Sequence, residues 1–305
     1  MYTPNYLKLF SSGELKKRVK ILNDKLKNCV LCPHKCGVNR LKGEKGYCNT
    51  LENVVISGAQ PHLGEERELV GTNGSGTIFF SHCNLKCVFC QNYEISHCGE
   101  GQNTTVDKLA EIMLSLQQSN CHNINLVSPG HIIPQIVEAI FIAAKKGLNI
   151  PIVYNTNGYD LSDTLKLLDG IVDIYLADIK FSDDTYSYKY LGAKNYYSIT
   201  KEAIKEMFKQ VGNLKTYKNE IAYRGLIIRH LILPENLAGT EKIMKFLSKE
   251  ISNKLYINIM AQYFPEYEAY KYKGLERKIT EKEYLDAINI AKSVGLTNVK
   301  TAYDF

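Results

Sequence analysis

From about residue 77 onward, short apolar runs alternate with longer stretches in which apolar side chains recur at helical spacing. The runs are GTIFFSH, INLVS, IPIVYN, IVDIYLADIK, GLIIRHLIL and LYINIM, with a last short one at NVKTA. This alternation predicts a parallel α/β sheet, because parallel neighbours must be joined by long crossovers, and the intervening helices are long enough for right-handed ones. Between the first two runs Thr104 and Asp107 form a capping pattern, and Val106, Leu109, Met113 and Leu116 follow on one helical face; Gly147, after Lys145 and Lys146, closes the next helix. Six strands with helices outside fit a partial (β/α)6 TIM-like barrel, and a doubly wound open sheet satisfies the same pattern. Both place chemistry at the C-terminal ends of strands. The first 70 residues read differently: a basic helix near 13–27, then a cysteine-rich segment with Pro33 and several glycines. The expected organisation is an N-terminal cysteine-rich module over 1–70 and a core over 71–305.

With 305 residues and 45% hydrophobic content the chain can bury a sizeable core, which excludes a disordered protein. No run reaches the roughly 18 apolar residues of a membrane helix, and the opening MYTPNYLKLFSSGELKKRVK lacks the apolar stretch and cleavage site of a secretory signal. A cytoplasmic protein is expected, with no membrane partner. The net charge of +6 comes from dispersed Lys and Arg, a solvated surface rather than a nucleic-acid footprint, and it leaves room for an acidic redox partner. The nine cysteines are odd in number and crowd the first 121 residues of a large chain, which favours metal or cluster ligation over disulfides.

The segment CNLKCVFC sets Cys83, Cys87 and Cys90 in a C-x3-C-x2-C spacing directly after a strand. Clusters and structural zinc sites use four thiolates as a rule. Three thiolates on a [4Fe-4S] cubane leave one iron open to a substrate group, and the amino and carboxylate groups of S-adenosylmethionine (SAM) can chelate it. An electron passed to the adjacent sulfonium then breaks a carbon–sulfur bond and gives a 5'-deoxyadenosyl radical, chemistry that belongs to the cofactor pair. The competing assignment is zinc, with Cys98 or His82 as fourth ligand.

Successive apolar runs end in Ser128-Pro129-Gly130-His131, Asn155-Thr156-Asn157-Gly158, Asp178-Ile179-Lys180, Arg229-His230 and Ala261-Gln262. Ringing one mouth, these groups suit a zwitterionic cofactor with a ribose and an adenine. Each alone reads equally as a loop cap or surface charge; their convergence carries the expectation.

The chain resembles the radical SAM superfamily, and within it the enzymes similar to pyruvate formate-lyase activating enzyme. The resemblance rests on LCPHKCGVNRLKGEKGYC, HLGEERELVGTNGSGTIFF, CNLKCVFCQNYEIS, NTNG and ADIK, in that order and spacing. It implies a partial barrel with the cluster in the loop after the first strand. It also implies that Asp178, Lys180 and Arg229 contact polar groups of the cofactor, and that Phe89 lies near its adenine. Three positions depart from the family pattern. Ser128 to Gly130 stand where a glycine-rich GGE-type stretch meets the methionine amino group, Asn155 replaces the Asp of DTNG that helps to hold a monovalent cation, and Gln262 stands where activases often carry His.

Cys29, Cys32, Cys36 and Cys48, with His34 among them, supply enough soft ligands for a zinc site or an auxiliary iron–sulfur cluster, and the spacing does not choose between the two. Gly71-Thr72-Asn73-Gly74-Ser75-Gly76 lacks a P-loop ending and reads as a flexible connector. Cys98 and Cys121 read as small buried residues. His62, Glu65 and Glu66 read as groups facing the active site from the linker or, in preference, as a solvated turn, and the tyrosines of 186–197 as a partner surface or half-buried helix faces. The leading expectation is an activase that abstracts hydrogen from a glycine of a partner protein, a glycyl radical enzyme, with reduced flavodoxin or ferredoxin as electron donor. The alternatives are radical modification of a small molecule or another peptide, and a non-catalytic zinc or electron-transfer protein.

Overall fold

The computed structural model describes residues 2–302. Helices α1 (Asn5–Ser11) and α2 (Glu14–Asp24) open the chain, and β1 (Val54–His62) and the short α3 (Arg67–Val70) follow the cysteine-rich segment. Next come β2 (Ser75–Phe80), β3 (Gln102–Thr104), α4 (Val106–Gln118), β4 (Ile124–Val127), α5 (Ile133–Lys145), β5 (Ile152–Thr156) and α6 (Ser162–Leu165). The chain continues with β6 (Ile174–Asp178), α7 (Asp184–Leu191), α8 (Tyr196–Val211), β7 (Lys215–Thr216) and β8 (Ala222–Leu231). It ends with α9 (Thr240–Phe246), β9 (Tyr256–Met260), α10 (Glu281–Ser293) and β10 (Asn298–Lys300).

Strands lie in the order β10-β9-β8-β6-β5-β4-β2-β1-β3. Every pairing from β2 to β10 along this path is parallel. Each new parallel strand joins the same side of its predecessor, and the order never reverses. A doubly wound sheet requires such a reversal, so the architecture is the singly wound wall of a partial barrel, with the six expected strands present and NVKTA supplying the terminal β10. The wall stays open because β1 pairs antiparallel with β2 and β3, occupying the edge that closure would need.

Strands covered on both faces should be apolar throughout: β5 is buried along its whole length, and β6 up to the partly exposed Asp178. Leu109, Met113 and Leu116 of α4 enter the core as their spacing predicts. The cap differs by one residue: Thr105, not Thr104, accepts the Lys108 backbone N–H, because Thr104 is held in the edge pairing with Val54. Helix α5 is apolar almost all round, since α2 covers its outer side with Leu15 and Leu22, both fully buried. Tyr6, Leu26 and Leu31 join the same core as the strands. Gly147, at φ +100°, ends the turn after α5 as expected. Among the described residues no helix is long and apolar enough to cross a membrane.

Candidate active site

The cysteine loop leaves β2 at its C-terminal end and is pinned by the backbone. Lys86 N–H donates to Leu191 O at 2.8 Å, Val88 N–H to Tyr190 O at 2.9 Å, and Glu268 N–H to Val88 O at 2.9 Å. The Cys83 sulfur accepts from Leu85 N–H and from Asn157 Nδ2, each at 3.3 Å, and Cys90 Sγ lies 3.1 Å from Ser96 Oγ. Such donors stabilise a thiolate. Burial pushes the Cys83 and Cys87 thiols up, the latter against the pull of Lys180; a bound metal would stabilise their thiolates.

Cys83, Cys87 and Cys90 open on a cavity of about 480 Å3 that also takes in Phe89, Ser128, Asn155, Asp178, Lys180, Arg229 and Gln262. Thr156 and Asn157 line it as well, whereas Pro129, Gly130, His131, Gly158, Ile179, His230 and Ala261, also read from the strand ends, do not. At Gly130 a Cβ would meet Asp160 Oδ1 at 2.8 Å, so it faces inward against Asp160 and not into this cavity. Ser128 sits at φ +57° with its N–H on Asn155 O. Phe89 packs edge-on against Tyr263. A larger groove of about 920 Å3 lies at the opposite end of the strands and holds none of these residues, so size alone does not mark the reactive site.

The polar ring is a connected network. Asp178 accepts from Arg229 Nε at 2.8 Å and from Lys180 Nζ at 2.7 Å. Arg229 reaches Asn155 Oδ1 at 2.7 Å and Glu65 Oε2 at 3.2 Å, and Asn155 Nδ2 donates to Glu65 Oε1 at 3.2 Å. Burial would raise the Asp178 carboxyl, but Arg229 and Lys180 overcome it and hold the group below its usual range. Burial likewise opposes the charge of Lys180, and Asp178 restores it. Beside them Glu66 is buried and bonded to Asn258 Nδ2 at 3.2 Å; burial pushes its carboxyl up to about 7 despite Arg229.

Glu65 and Glu66 therefore correct the expectation of a solvated turn: Glu65 completes the ring and Glu66 lies behind it. Their partners are Arg229 and Asn258, far along the chain, so no local pattern marks them. His62, from the same segment, also lines the cavity. Cys98 is exposed rather than buried, whereas Cys121 is buried. Ser75 and Gly76, read as part of a flexible connector, are buried in β2. Tyr186 and Tyr188 are exposed while Tyr190, Tyr196 and Tyr197 are buried.

Cys29, Cys32, Cys36 and Cys48 converge on a second, small cavity, walled also by Arg40, Gly46 and His131. The chain folds back on itself to bring them there, with Cys29 N–H on Val38 O and Gly37 N–H on Cys29 O, both at 2.9 Å. Among the described residues, no three His, Cys, Asp or Glu side chains already close round a single ion. A four-iron cubane spans more than one such point, so thiols that hold one must turn onto it.

The family model of the Radical SAM superfamily matches residues 77–247, more than half of the chain. The chain belongs to the radical SAM superfamily. An uncharacterized protein of Methanocaldococcus jannaschii is 35% identical over 96% of this chain and 82% of its own length. The pyruvate formate-lyase-activating enzyme of Clostridium pasteurianum is 24% identical over 74% of this chain and 91% of its own. A solved structure of TYW1 with a lysine–pyruvate adduct bound covers 72% of both chains at 12% identity and a TM-score of 0.42.

Membership brings a [4Fe-4S] cluster, SAM and enzymatic radical chemistry, and the residues present fit them. Three thiols, two of them only partly buried, face a cavity within the usual 300–1,000 Å3 of small-molecule sites. Both carboxylates and cations stand at its rim, as a zwitterion requires, and Val127, Leu231 and Met260 give it an apolar side. A non-catalytic thiolate protein does not fit this membership.

Proposed function

We propose that this radical SAM enzyme is an activase, which abstracts a hydrogen atom from a glycine of a partner protein and leaves a glycyl radical there, with reduced flavodoxin or ferredoxin as electron donor. Support comes from the similarity to a pyruvate formate-lyase-activating enzyme across most of that relative's length. The observation that carries the reading is the single cavity uniting the cysteine trio with the Asp178–Lys180–Arg229–Glu65 network. When bound, the cluster and SAM supply the 5'-deoxyadenosyl radical.

In this reading Cys83, Cys87 and Cys90 hold the cluster. Leu85 N–H and Asn157 Nδ2 steady the Cys83 sulfur. Lys180 and Arg229 offer charge to a carboxylate, and Glu65 and Asp178 to an amino group, with orientation fixed by their mutual hydrogen bonds. Phe89, Val127, Leu231 and Met260 keep water from the reacting end. A second metal centre, zinc or iron–sulfur, on Cys29, Cys32, Cys36 and Cys48 belongs to the same reading.

The test is electron paramagnetic resonance of the reduced, SAM-supplied enzyme mixed with candidate glycyl radical proteins. The expected result is a glycyl doublet on a partner, abolished when the partner glycine is replaced by alanine. SAM cleavage with no such signal on any partner would transfer the activity to a small molecule or another peptide.

A further inference from the structure

The cavity of the four N-terminal cysteines carries two polar groups in its wall that call for a particular occupant. Arg40 is 2% exposed, and its guanidinium donates only to backbone carbonyls: Nε and Nη2 to Leu51 O at 2.9 and 2.5 Å, Nη1 to His131 O at 2.7 Å. No ion pair among the described residues includes it. A guanidinium buried among neutral dipoles is costly without an anion close by.

His131, also 2% exposed, places Nε2 at 3.0 Å from Ser81 O. A carbonyl only accepts, so Nε2 carries the proton and Nδ1 a lone pair. That Nδ1 is buried with no hydrogen-bond partner, and His131 is among the residues that wall the thiol cavity. An uncompensated cation beside four thiols calls for a negatively charged occupant. A thiophilic metal on four thiolates is such an object, since the thiolate charge exceeds that of zinc or of an iron–sulfur core. Two local features agree with metal-bound sulfur at Cys36: Tyr47 N–H donates to its Sγ at 3.3 Å, and a Cβ on Gly46 would stand 2.8 Å from that sulfur.

We propose that Cys29, Cys32, Cys36 and Cys48 hold an anionic thiolate metal centre, neutralised by Arg40 and faced by His131, which braces the loop bearing Cys83. The brace has two arms. His131 ends on Ser81, two residues before Cys83. His34, between the second and third cysteines, bonds Asn84 O through Nε2 at 2.8 Å and stacks on Tyr47 with ring centroids 3.7 Å apart. The proposal deepens the reading of a second metal centre and is independent of the activase reading, since metal content is measured without turnover.

The experiment is zinc, iron and acid-labile sulfide analysis of an anaerobically purified Cys83→Ala/Cys87→Ala/Cys90→Ala variant. The expected result is one zinc ion per chain, or iron and sulfide in equal amounts, which also decides the metal. A folded variant holding neither overturns the proposal. If that variant does not fold, the wild-type protein gives the answer: zinc, or iron beyond the four atoms of one cubane, supports the site, and four irons without zinc overturns it. For Arg40, chelator-driven release from Arg40→Gln should be about tenfold faster than from wild type, with Arg40→Lys close to wild type. Equal rates in the Gln variant and wild type would remove Arg40 from the assignment.

Discussion

Asp178 stands between two cations, and its side chain is 13% exposed. Asp178→Asn would leave Lys180 and Arg229 facing each other in a buried site with one shared carboxylate fewer. Loss of about 3–5 kcal/mol of stability is expected, together with loss of SAM binding, as read by denaturant titration and equilibrium dialysis. An unchanged denaturation midpoint would mean that solvent already compensates the pair. Glu66 has the opposite sign. Its carboxyl is raised to about 7 in the folded chain from an ordinary value near 4.5, so the native state binds the extra proton and stability falls as pH rises through that interval. Glu66→Gln keeps the acceptor for Asn258 and should flatten this slope, worth about 1.4 kcal/mol per pH unit at most; a slope that survives the substitution would assign it to another group. The sequence left both glutamates between a site role and a solvated turn and favoured the turn, because a charged turn and a buried acid look alike until Arg229 and Asn258 arrive from distant strands.

At the scale of elements, local pattern was most reliable where one face decides packing. Leu109, Met113 and Leu116 of α4 are an example, and the cap of that helix shows the limit: two adjacent threonines are equivalent in sequence, and only the β1–β3 pairing takes Thr104 out of contention. Thr105→Ala should therefore cost about 1 kcal/mol and Thr104→Ala much less, measured by thermal unfolding. Reversal of that order would contradict the cap assignment. The turn after β5 offers a sharper test. Gly158 has φ +82°, and a Cβ there would stand 2.2 Å from Asp178 O. Gly158→Ala should push the Asn157 turn away from the end of β6 and loosen the Asn157 hydrogen bond to Cys83. Cluster retention should fall with stability, and a variant with normal cluster content would show that the turn does not steady the loop.

Across the whole molecule, the alternation of apolar runs and helices was enough for a parallel sheet but not for its winding, which depends on the side to which each strand is added. The order β2-β4-β5-β6-β8-β9-β10 settles it as one-directional. The strand-end polar residues were legible because a singly wound wall gathers its C-terminal ends at one mouth. Gly130 fell outside because it follows the positive-φ turn at Ser128 and packs against Asp160. The proposed function rests on what this mouth gathers: three thiols, an open cavity and a rim of paired carboxylates and cations in one place. The most direct test is to supply anaerobically reconstituted protein with dithionite and SAM and to measure 5'-deoxyadenosine. Its formation, abolished together with the cluster's visible absorbance by Cys87→Ala, is the predicted result; protein holding an intact [4Fe-4S] cluster that releases none would contradict the account.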